Sequence, residues 1–428
     1  MSTPVVFITG WNPTHGKGGG SAYVRAHMRA ALRAGYEPHI FCTDSESGEK
    51  DESFGTVHRV APGRPFRRAL AAAATGRAQG FLGHWFTGFA FSPYNSVSHA
   101  ARLAAAIERF LAGRRGPHVL HGFYTWGCVG LDVRERLRRH GAECAVVNSI
   151  YTTARHEAEG KARGVSTAPF LHRAVFRAER LWIESVVRRQ ERRVYRGSRL
   201  VLVNYEAVRR RLLAEHGPGA ETRLVPYCAE SAFFDSVPPC GDAGAADPLI
   251  VSVSRHDPRK GVDVLIRALA ALRERGVRFR ACLVSGGPLL ELHRGLVDEL
   301  DLAERVTLTG WVESARPYFR RAGIFVLPSL QEGSGSLSLL EAMQAGAAIV
   351  ASNVDGIPED VADGESALLV VPGDADALSR AIERALGSAE LRRRLGDAAR
   401  ATQAARFSPD AFAGALGAIY AGLASGNR

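Results

Sequence analysis

Over most of its length the chain alternates between short apolar, β-branched runs and longer windows in which apolar residues recur every three or four positions. The short runs predict buried strands, and the longer windows predict helices that cover them. Val5 to Thr9 is the first run; it ends at Gly10, a loop follows from Trp11 to Gly20, and Ser21 can cap a helix whose pattern closes at Gly35. His39 to Cys42, Val119 to Leu120, Ala145 to Asn148 and Leu200 to Val203 continue the series, each followed by helical pattern. An α/β parallel sheet wrapped by helices is the expected fold class.

The alternation stops at Asp235 to Asp247 (DSVPPCGDAGAAD), a stretch that buries little and behaves as a linker. It restarts with Leu249 to Val253, Ala281 to Ser285, Val306 to Thr309, Ile324 to Leu327, Ala348 to Ala351 and Ala367 to Val370. Residues 374–427 read as helix, with Ser408 and Pro409 opening the last one in the N-cap and N1 manner. The expected organisation is a Rossmann-like domain over 1–238, a linker over 239–247 and a second doubly wound domain over 248–407, the helix 408–427 rejoining the first domain. Open α/β sheets bind ligands outside the carboxyl ends of their strands, so two such domains predict a central cleft with a donor half and an acceptor half.

A length of 428 residues and an apolar fraction of 46% fit two soluble domains. No apolar run approaches the roughly 20 residues of a membrane helix, and the amino terminus starts on a strand-like run instead of a signal peptide, so a cytoplasmic protein is expected. Cysteines 42, 128, 144, 228, 240 and 282 form no CxxC and read as free thiols. The net charge of +11 belongs to the first part of the chain: residues 1–250 carry 34 Lys+Arg against 22 Asp+Glu, residues 251–428 carry 21 against 22. It is densest from Lys161 to Arg199, an amphipathic helical stretch that fits a solvated basic face, attachment to an anionic membrane or capture of an anionic ligand. Lys occurs only at 17, 50, 161 and 260, a bias toward Arg that weakens the membrane reading. The basic residues are not interleaved with aromatic strands in a nucleic-acid module, so no nucleic-acid partner is expected.

Three elements carry candidate chemistry. In SVSRHDPRKGVDVLIRAL, Arg255 and Lys260 stand on a strand-to-helix loop where two cations suit a diphosphate; alone, they also read as surface cations. In PSLQEGSGSLSLLEAMQAG, backbone N–H groups at Gly335, Ser336 and Leu337 can face an anion at a helix start, and Glu341 can accept ribose hydroxyls. The same string also reads as a tight turn followed by an exposed Glu. The amino-terminal GKGGGSAYV permits close backbone approach to a ligand, or is a surface loop.

Taken in this order, these motifs resemble the retaining GT-B glycosyltransferases of family 4. The resemblance spans most of the chain, through the glycines at 18–20, RVYRGSRLVLVNYEAVRRRL, SRHDPRKG, LTGWV, FVLPSLQEGSGSLSLLEAMQAG and DGIPEDVADGESALLVVPGD. The opening Gly19 to Val24 is similar to the cyclitol-transferring members of thiol biosynthesis. It implies that Arg255 and Lys260 hold the donor diphosphate, Glu341 the ribose, and Trp311 and Val312 the base, with Gly19, Gly20, Glu332, Gly333, Ser334, Gly335, Ser336 and Leu337 completing the donor site. Eight residues separate Glu332 from Glu341 where the family normally has seven, so the loop between them must bulge.

In HGFYTWG, His121 matches the first of the family's two histidines and Phe123 replaces the second, leaving His121 as a catalytic substitute or a satisfied core histidine. Tyr227 and Cys228 replace the usual Asn-Gly. The resemblance further implies retention without an enzyme nucleophile and without metal or cofactor; Asp374 and Asp376 form a DxD string in a helix-capping position. The basic first half with Phe123, Tyr124 and Trp126 predicts a small soluble acceptor bearing negative charge or a delocalised ring, joined through a hydroxyl or thiol. The alternatives are a lipid-linked acceptor met by a peripheral membrane enzyme, an inactive nucleotide-sugar-binding partner or sensor, and an epimerase of nucleotide sugars.

Overall fold

The computed structural model describes residues 3–14, 19–61, 97–114, 117–162, 177–228, 248–333 and 335–424. The linker at Asp235 to Asp247, Ser334, Cys240 and part of the Lys161 to Arg199 stretch lie outside them. The chain forms two compact units, one of Met1–Ala158, Ala168–Tyr227 and Pro409–Arg428, the other of Glu159–Thr167 and Cys228–Ser408.

The first unit is built on eight strands: β1 (Pro4–Ile8), β2 (Glu37–Thr43), β3 (Gly48–Glu52), β4 (Gly55–Val60), β5 (His118–Phe123), β6 (Cys144–Ile150), β7 (Leu200–Val203) and β8 (Glu221–Leu224). Their order is β3-β4-β2-β1-β5-β6-β7-β8, with every pair parallel except β3 with β4. The central strands are apolar on both faces because helices cover both, and so β5 is buried along its whole length. Two elements escaped the sequence pattern: the β3–β4 hairpin, whose first strand GEKDE has no apolar face, and the polar edge strand β8. Polar edge strands protect a sheet from pairing with other chains, and this same polarity hides them from a hydrophobicity reading. The first helix, Gly19–Arg33, begins two residues before the Ser21 expected to cap it.

The second unit carries β9 (Leu249–Val253), β10 (Arg280–Val284), β11 (Val306–Leu308), β12 (Ala322–Leu327), β13 (Ala348–Ser352) and β14 (Leu368–Val370). Their order is β11-β10-β9-β12-β13-β14, all parallel. Its core joins Ile250, Leu283, Ile324, Val326 and Val350 of the strands to Leu265, Leu269, Leu378 and Ile382 of the covering helices. In both sheets the order reverses beside the first strand, at β1/β5 and at β9/β12. Loops leaving two neighbouring strands in opposite directions open a crevice there, which is where doubly wound sheets bind ligands.

Candidate active site

At the β9/β12 switch point the second unit brings its candidate residues together. After β9, Asp257 accepts from the N–H of Arg259 at 3.1 Å and caps a single turn, Pro258–Lys260. Gly261 then takes φ +61°, and a Cβ there would lie 2.1 Å from the Pro328 carbonyl oxygen, so only glycine lets this loop press against the loop after β12. The Arg259 carbonyl accepts from the N–H groups of Leu330 and Gln331 at 2.8 and 3.1 Å. The two loops are therefore stitched into one rigid rim.

Within that rim Lys260 is already engaged. Its Nζ donates to Oε1 and Oε2 of Glu332 at 2.6 and 2.7 Å, and Ser329 Oγ donates to the same carboxylate at 2.6 Å. Glu332 is buried, and its backbone N–H donates to Asp355 Oδ2 at 2.7 Å. Asp355, in the loop after β13, has φ +52°, a left-handed conformation uncommon for a residue with a side chain. It was not singled out from the sequence; nothing in DGIPEDVADG announces a side chain that braces a loop twenty-three residues away. Arg255, by contrast, is exposed, with no ion pair among the described residues.

The helix Leu337–Ala345 starts with Ser336 at its N-cap, and the Ser336 hydroxyl bonds Ser338 Oγ at 2.9 Å instead of the helix's own N–H groups. The N–H groups of Leu339 and Leu340 bond the Ser336 carbonyl at 3.1 and 3.3 Å, and those of Leu337 and Ser338 are left for another acceptor. Gly333, Gly335 and Leu337 are half-buried around this start, and Glu341, one turn into the helix, is half-buried too. Ser334 lies outside the described residues. Trp311 is 70% exposed, and a Cβ on Gly286 would lie 2.5 Å from its ring, so the indole rests on that turn with its other side open; Val312 beside it is half-buried. Under this turn His256 bonds His293, Nδ1 to Nδ1 at 2.8 Å. Burial, then the neighbouring His293, lowers the His256 pKa to about 4, so the pair is neutral near pH 7 and ties the Arg255 loop to the helix Leu290–Glu299.

The first unit treats its candidates differently. His121 is fully buried, with Nδ1 at 2.6 Å from Tyr420 OH and Nε2 at 2.8 Å from Ser149 Oγ. Ser149 Oγ in turn lies 3.2 Å from His27 Nε2, and His27 Nδ1 lies 2.9 Å from the Tyr23 carbonyl. A carbonyl can only accept, so one assignment satisfies every atom: Tyr420 donates to His121, His121 to Ser149, Ser149 to His27, and His27 to Tyr23. Burial lowers the pKa of His27 to about 4 and that of His121 well below the usual imidazole range, and both rings stay neutral. His121 thus has neither ring nitrogen open to a substrate; its surroundings favour the satisfied core histidine over the catalytic substitute.

Phe123 and Trp126 are core residues as well. Phe123 is fully buried and stacks on Phe7 and His121; Trp126 is 5% exposed, and a Cβ on Gly10 would fall 2.0 Å from its ring. The expected aromatic acceptor lining therefore reduces to Tyr124, which is half-buried at the carboxyl end of β5. Gly19 and Gly20 are the first residues of their helix, and a Cβ on Gly20 would meet only the Trp11 ring at an ordinary 3.5 Å.

For metal, the described residues offer one group, Glu191, Glu215 and His216, whose candidate ligand atoms lie within 4.8 Å of one another. These side chains are bound to the protein: His216 Nε2 to Glu191 at 2.6 Å, Glu191 to the N–H of Ala154 at 2.9 Å, and Glu215 to Thr153 Oγ1 at 2.7 Å. Asp374 accepts from the N–H of Ala377 at 2.8 Å and caps its helix, the role its position predicts. Cys42, Cys128, Cys144, Cys228 and Cys282 are free thiols.

The two-sheet architecture is that of the GT-B glycosyltransferases, and residues 247–388 match the family model described as Glycosyl transferases group 1. Among solved structures, the chain superposes on sucrose-phosphate synthase from Thermosynechococcus elongatus with a TM-score of 0.71 and 25% identity, covering 98% of this chain and 99% of that one. It superposes on Anabaena HepE in complex with UDP with a TM-score of 0.67 and 15% identity, over 98% and 99%. Among curated proteins, it is 32% identical to the GDP-mannose-dependent alpha-(1-6)-phosphatidylinositol monomannoside mannosyltransferase of Mycolicibacterium smegmatis, over 46% of this chain and 55% of that protein. It is 31% identical to the alpha-D-kanosaminyltransferase of Streptomyces kanamyceticus, over 40% of this chain and 45% of that protein. The chain thus spans about half the length of these curated relatives.

Proposed function

We propose that this protein is a glycosyltransferase that moves a sugar from a nucleotide diphosphate donor to an acceptor with retention of anomeric configuration and without a metal ion. The observation that carries this reading is the β9/β12 rim. One exposed cation (Arg255), one cation held against a carboxylate (Lys260 on Glu332) and a helix start with open N–H groups stand at the carboxyl edge of one sheet. On this reading the diphosphate lies between Arg255, Lys260 and the helix start at Leu337, the ribose against Glu341, and the base against Trp311 and Val312. The sugar lies near Glu332, whose carboxylate exchanges its bond to Lys260 for a sugar hydroxyl as the phosphate takes the lysine. The acceptor attacks from the face the diphosphate leaves, and a phosphate oxygen takes its proton.

Both uridine and guanosine donors occur in names among the similar proteins, so the base is a matter for experiment. The test is calorimetric titration of the purified protein with UDP, GDP and their sugars, followed by release of nucleotide diphosphate. Micromolar binding of one nucleotide, lost in Arg255→Ala, is expected; no binding of either would sink the reading.

The acceptor reading that comes first is a small soluble molecule. A lipid-linked acceptor is the second, favoured by the name of the phosphatidylinositol monomannoside enzyme and by Leu181, 71% exposed on the basic stretch. No helix among the described residues is long and apolar enough to cross a membrane, so this reading requires peripheral contact. Co-sedimentation with anionic vesicles that weakens as salt rises, together with turnover only when lipid is supplied, would decide for the second reading.

A further inference from the structure

Glu332 reaches the rim at the end of a three-residue strip, Leu330 to Glu332, and each N–H of that strip is tied down. Leu330 and Gln331 donate to the Arg259 carbonyl on the β9 side, and Glu332 donates to Asp355 Oδ2 at 2.7 Å on the β13 side. The first two share a backbone carbonyl; the third meets a side-chain carboxylate, a stronger acceptor and one that a single substitution removes. Gln331 and Glu332 are buried, so an N–H left unmet here would be costly.

Asp355 holds a conformation that glycine takes more readily. Its φ of +52° lies in the left-handed region, where a Cβ crowds the following carbonyl, although Asp tolerates this better than most residues. The chain is pinned on both sides of it: Asn353 N–H donates to the Val370 carbonyl at 2.8 Å, and Ile357 N–H to the Val354 carbonyl at 3.1 Å where the short helix Ile357–Asp360 begins. Glycine would satisfy that backbone and give Glu332 no acceptor. A strained residue standing where glycine would be free points to its side chain.

The exchange proposed at Glu332 gives that side chain a task. Lys260 Nζ holds both carboxylate oxygens, at 2.6 and 2.7 Å, and Ser329 Oγ donates to Oε1 at 2.6 Å. When the diphosphate takes the lysine, Glu332 loses its two-point contact and keeps the Ser329 hydroxyl. Its carboxylate must still stand where a sugar hydroxyl can meet it, and the bond from its backbone to Asp355 does not depend on Lys260.

We infer that Asp355 is a positioning residue: it fixes the backbone of Glu332 while the glutamate trades Lys260 for a sugar hydroxyl, so that binding of the donor's sugar, and not of its nucleotide, depends on it. The inference rests on the transferase reading and deepens it. In this scheme Asp355 acts on the donor only through Glu332.

The test is calorimetric titration of the full chain with UDP, GDP, UDP-glucose, UDP-N-acetylglucosamine and GDP-mannose. The wild type is compared with Asp355→Gly, Asp355→Asn, Glu332→Ala and the double variant of Asp355→Gly with Glu332→Ala. Asp355→Gly should bind the bare nucleotide within about twofold of the wild type, and its sugar nucleotide about tenfold or more weakly. Asp355→Asn, which keeps an oxygen acceptor and suits the left-handed region, should restore sugar-nucleotide binding to within about threefold. In the Glu332→Ala protein, adding Asp355→Gly should weaken binding no further, because the glutamate it positions is gone. Should the glycine variant not fold, Asp355→Ser, whose side chain is shorter and uncharged, takes its place in the same comparisons. Equal loss of bare and sugar nucleotide, full sugar-nucleotide binding by a folded glycine or serine variant, no rescue by Asp355→Asn, or losses that add in the double variant would each overturn the inference. Wild-type binding of a nucleotide with none of the three sugar nucleotides bound defeats the positioning role alone; binding of neither nucleotide defeats the transferase reading on which it rests.

Discussion

The two switch points of this molecule use their polar residues in opposite ways. At β9/β12 the candidate side chains stand on loops and are charged: Arg255 is exposed, and Lys260 is held by Glu332 in a pair that, on the proposed reading, an incoming anion exchanges. At β1/β5 the polar residues face inward, and Tyr420, His121, Ser149 and His27 form a closed neutral chain beneath the surface. A charged loop residue whose partner can be traded is suited to binding, whereas a neutral one with every atom satisfied is suited to holding helices on a sheet. The histidine chain does the latter, fastening the helix Pro409–Ala424 to the unit that contains residues 1–158.

The largest expected effect falls on the exchangeable side. Arg255→Ala should lower turnover a hundredfold or more, about 3 kcal/mol of leaving-group stabilisation, with the melting temperature unchanged because Arg255 makes no ion pair among the described residues. Lys260→Ala should lose as much activity and also destabilise the fold, since it strands the buried Glu332 carboxylate. The double variant Lys260→Ala with Glu332→Gln should recover stability and not activity. Full turnover in purified Arg255→Ala would remove the rim from the mechanism.

Next in size is a response to acid. His27 has a pKa of about 4 in the fold against an ordinary 6.5, so between these values the unfolded chain binds the extra proton. The stability it contributes is fully present above about pH 6.5 and is lost as pH falls toward 4, about 3 kcal/mol in all. His121 acts with the same sign. Thermal melting from pH 7 to pH 4 should show this loss, with a shallower dependence in His27→Gln; identical slopes in the two proteins would mean that His27 is not the group held neutral.

This contrast also explains what was legible in the sequence. Eleven of the described strands left a trace as apolar runs, because burial on both faces demands it; β3 and β8, being polar edges, did not, nor did β4, the half-exposed partner of β3. The loop positions of Arg255, Lys260 and Glu332 were readable because residue type and spacing mark a strand-to-helix loop. Phe123 and Trp126 misled because an aromatic residue beside a strand end looks the same in sequence whether it lines a pocket or fills the core. Asp355 and the Tyr420 hydroxyl were invisible because each meets its partner across a long stretch of chain, which no local pattern records.

A smaller effect is expected at the far end of the histidine chain. Tyr420→Phe removes the donor to His121 Nδ1 and leaves a buried acceptor unmet, a loss of about 1–3 kcal/mol. Turnover at low temperature should stay within about threefold, because His121 faces the core. A hundredfold fall in a folded Tyr420→Phe protein would return His121 to the mechanism.

The smallest effect expected is none at all, on chelation. A metal-dependent transferase needs carboxylates free to bridge an ion to the diphosphate. Asp374 spends its carboxylate on the N–H of Ala377 as a helix cap, and the proposed reading gives the Glu332 carboxylate, freed from Lys260, to a sugar hydroxyl. The Glu191, Glu215 and His216 group belongs to the other unit, where His216, Ala154 and Thr153 already bind its carboxylates. On the proposed reading leaving-group charge falls to Arg255, Lys260 and the helix start at Leu337, cations and dipoles that EDTA does not remove. The measurement is the initial rate with and without excess EDTA, at a donor concentration where Arg255→Ala is clearly impaired. A rate that falls with EDTA and returns with Mg²⁺ or Mn²⁺ would transfer that role from the rim to an ion.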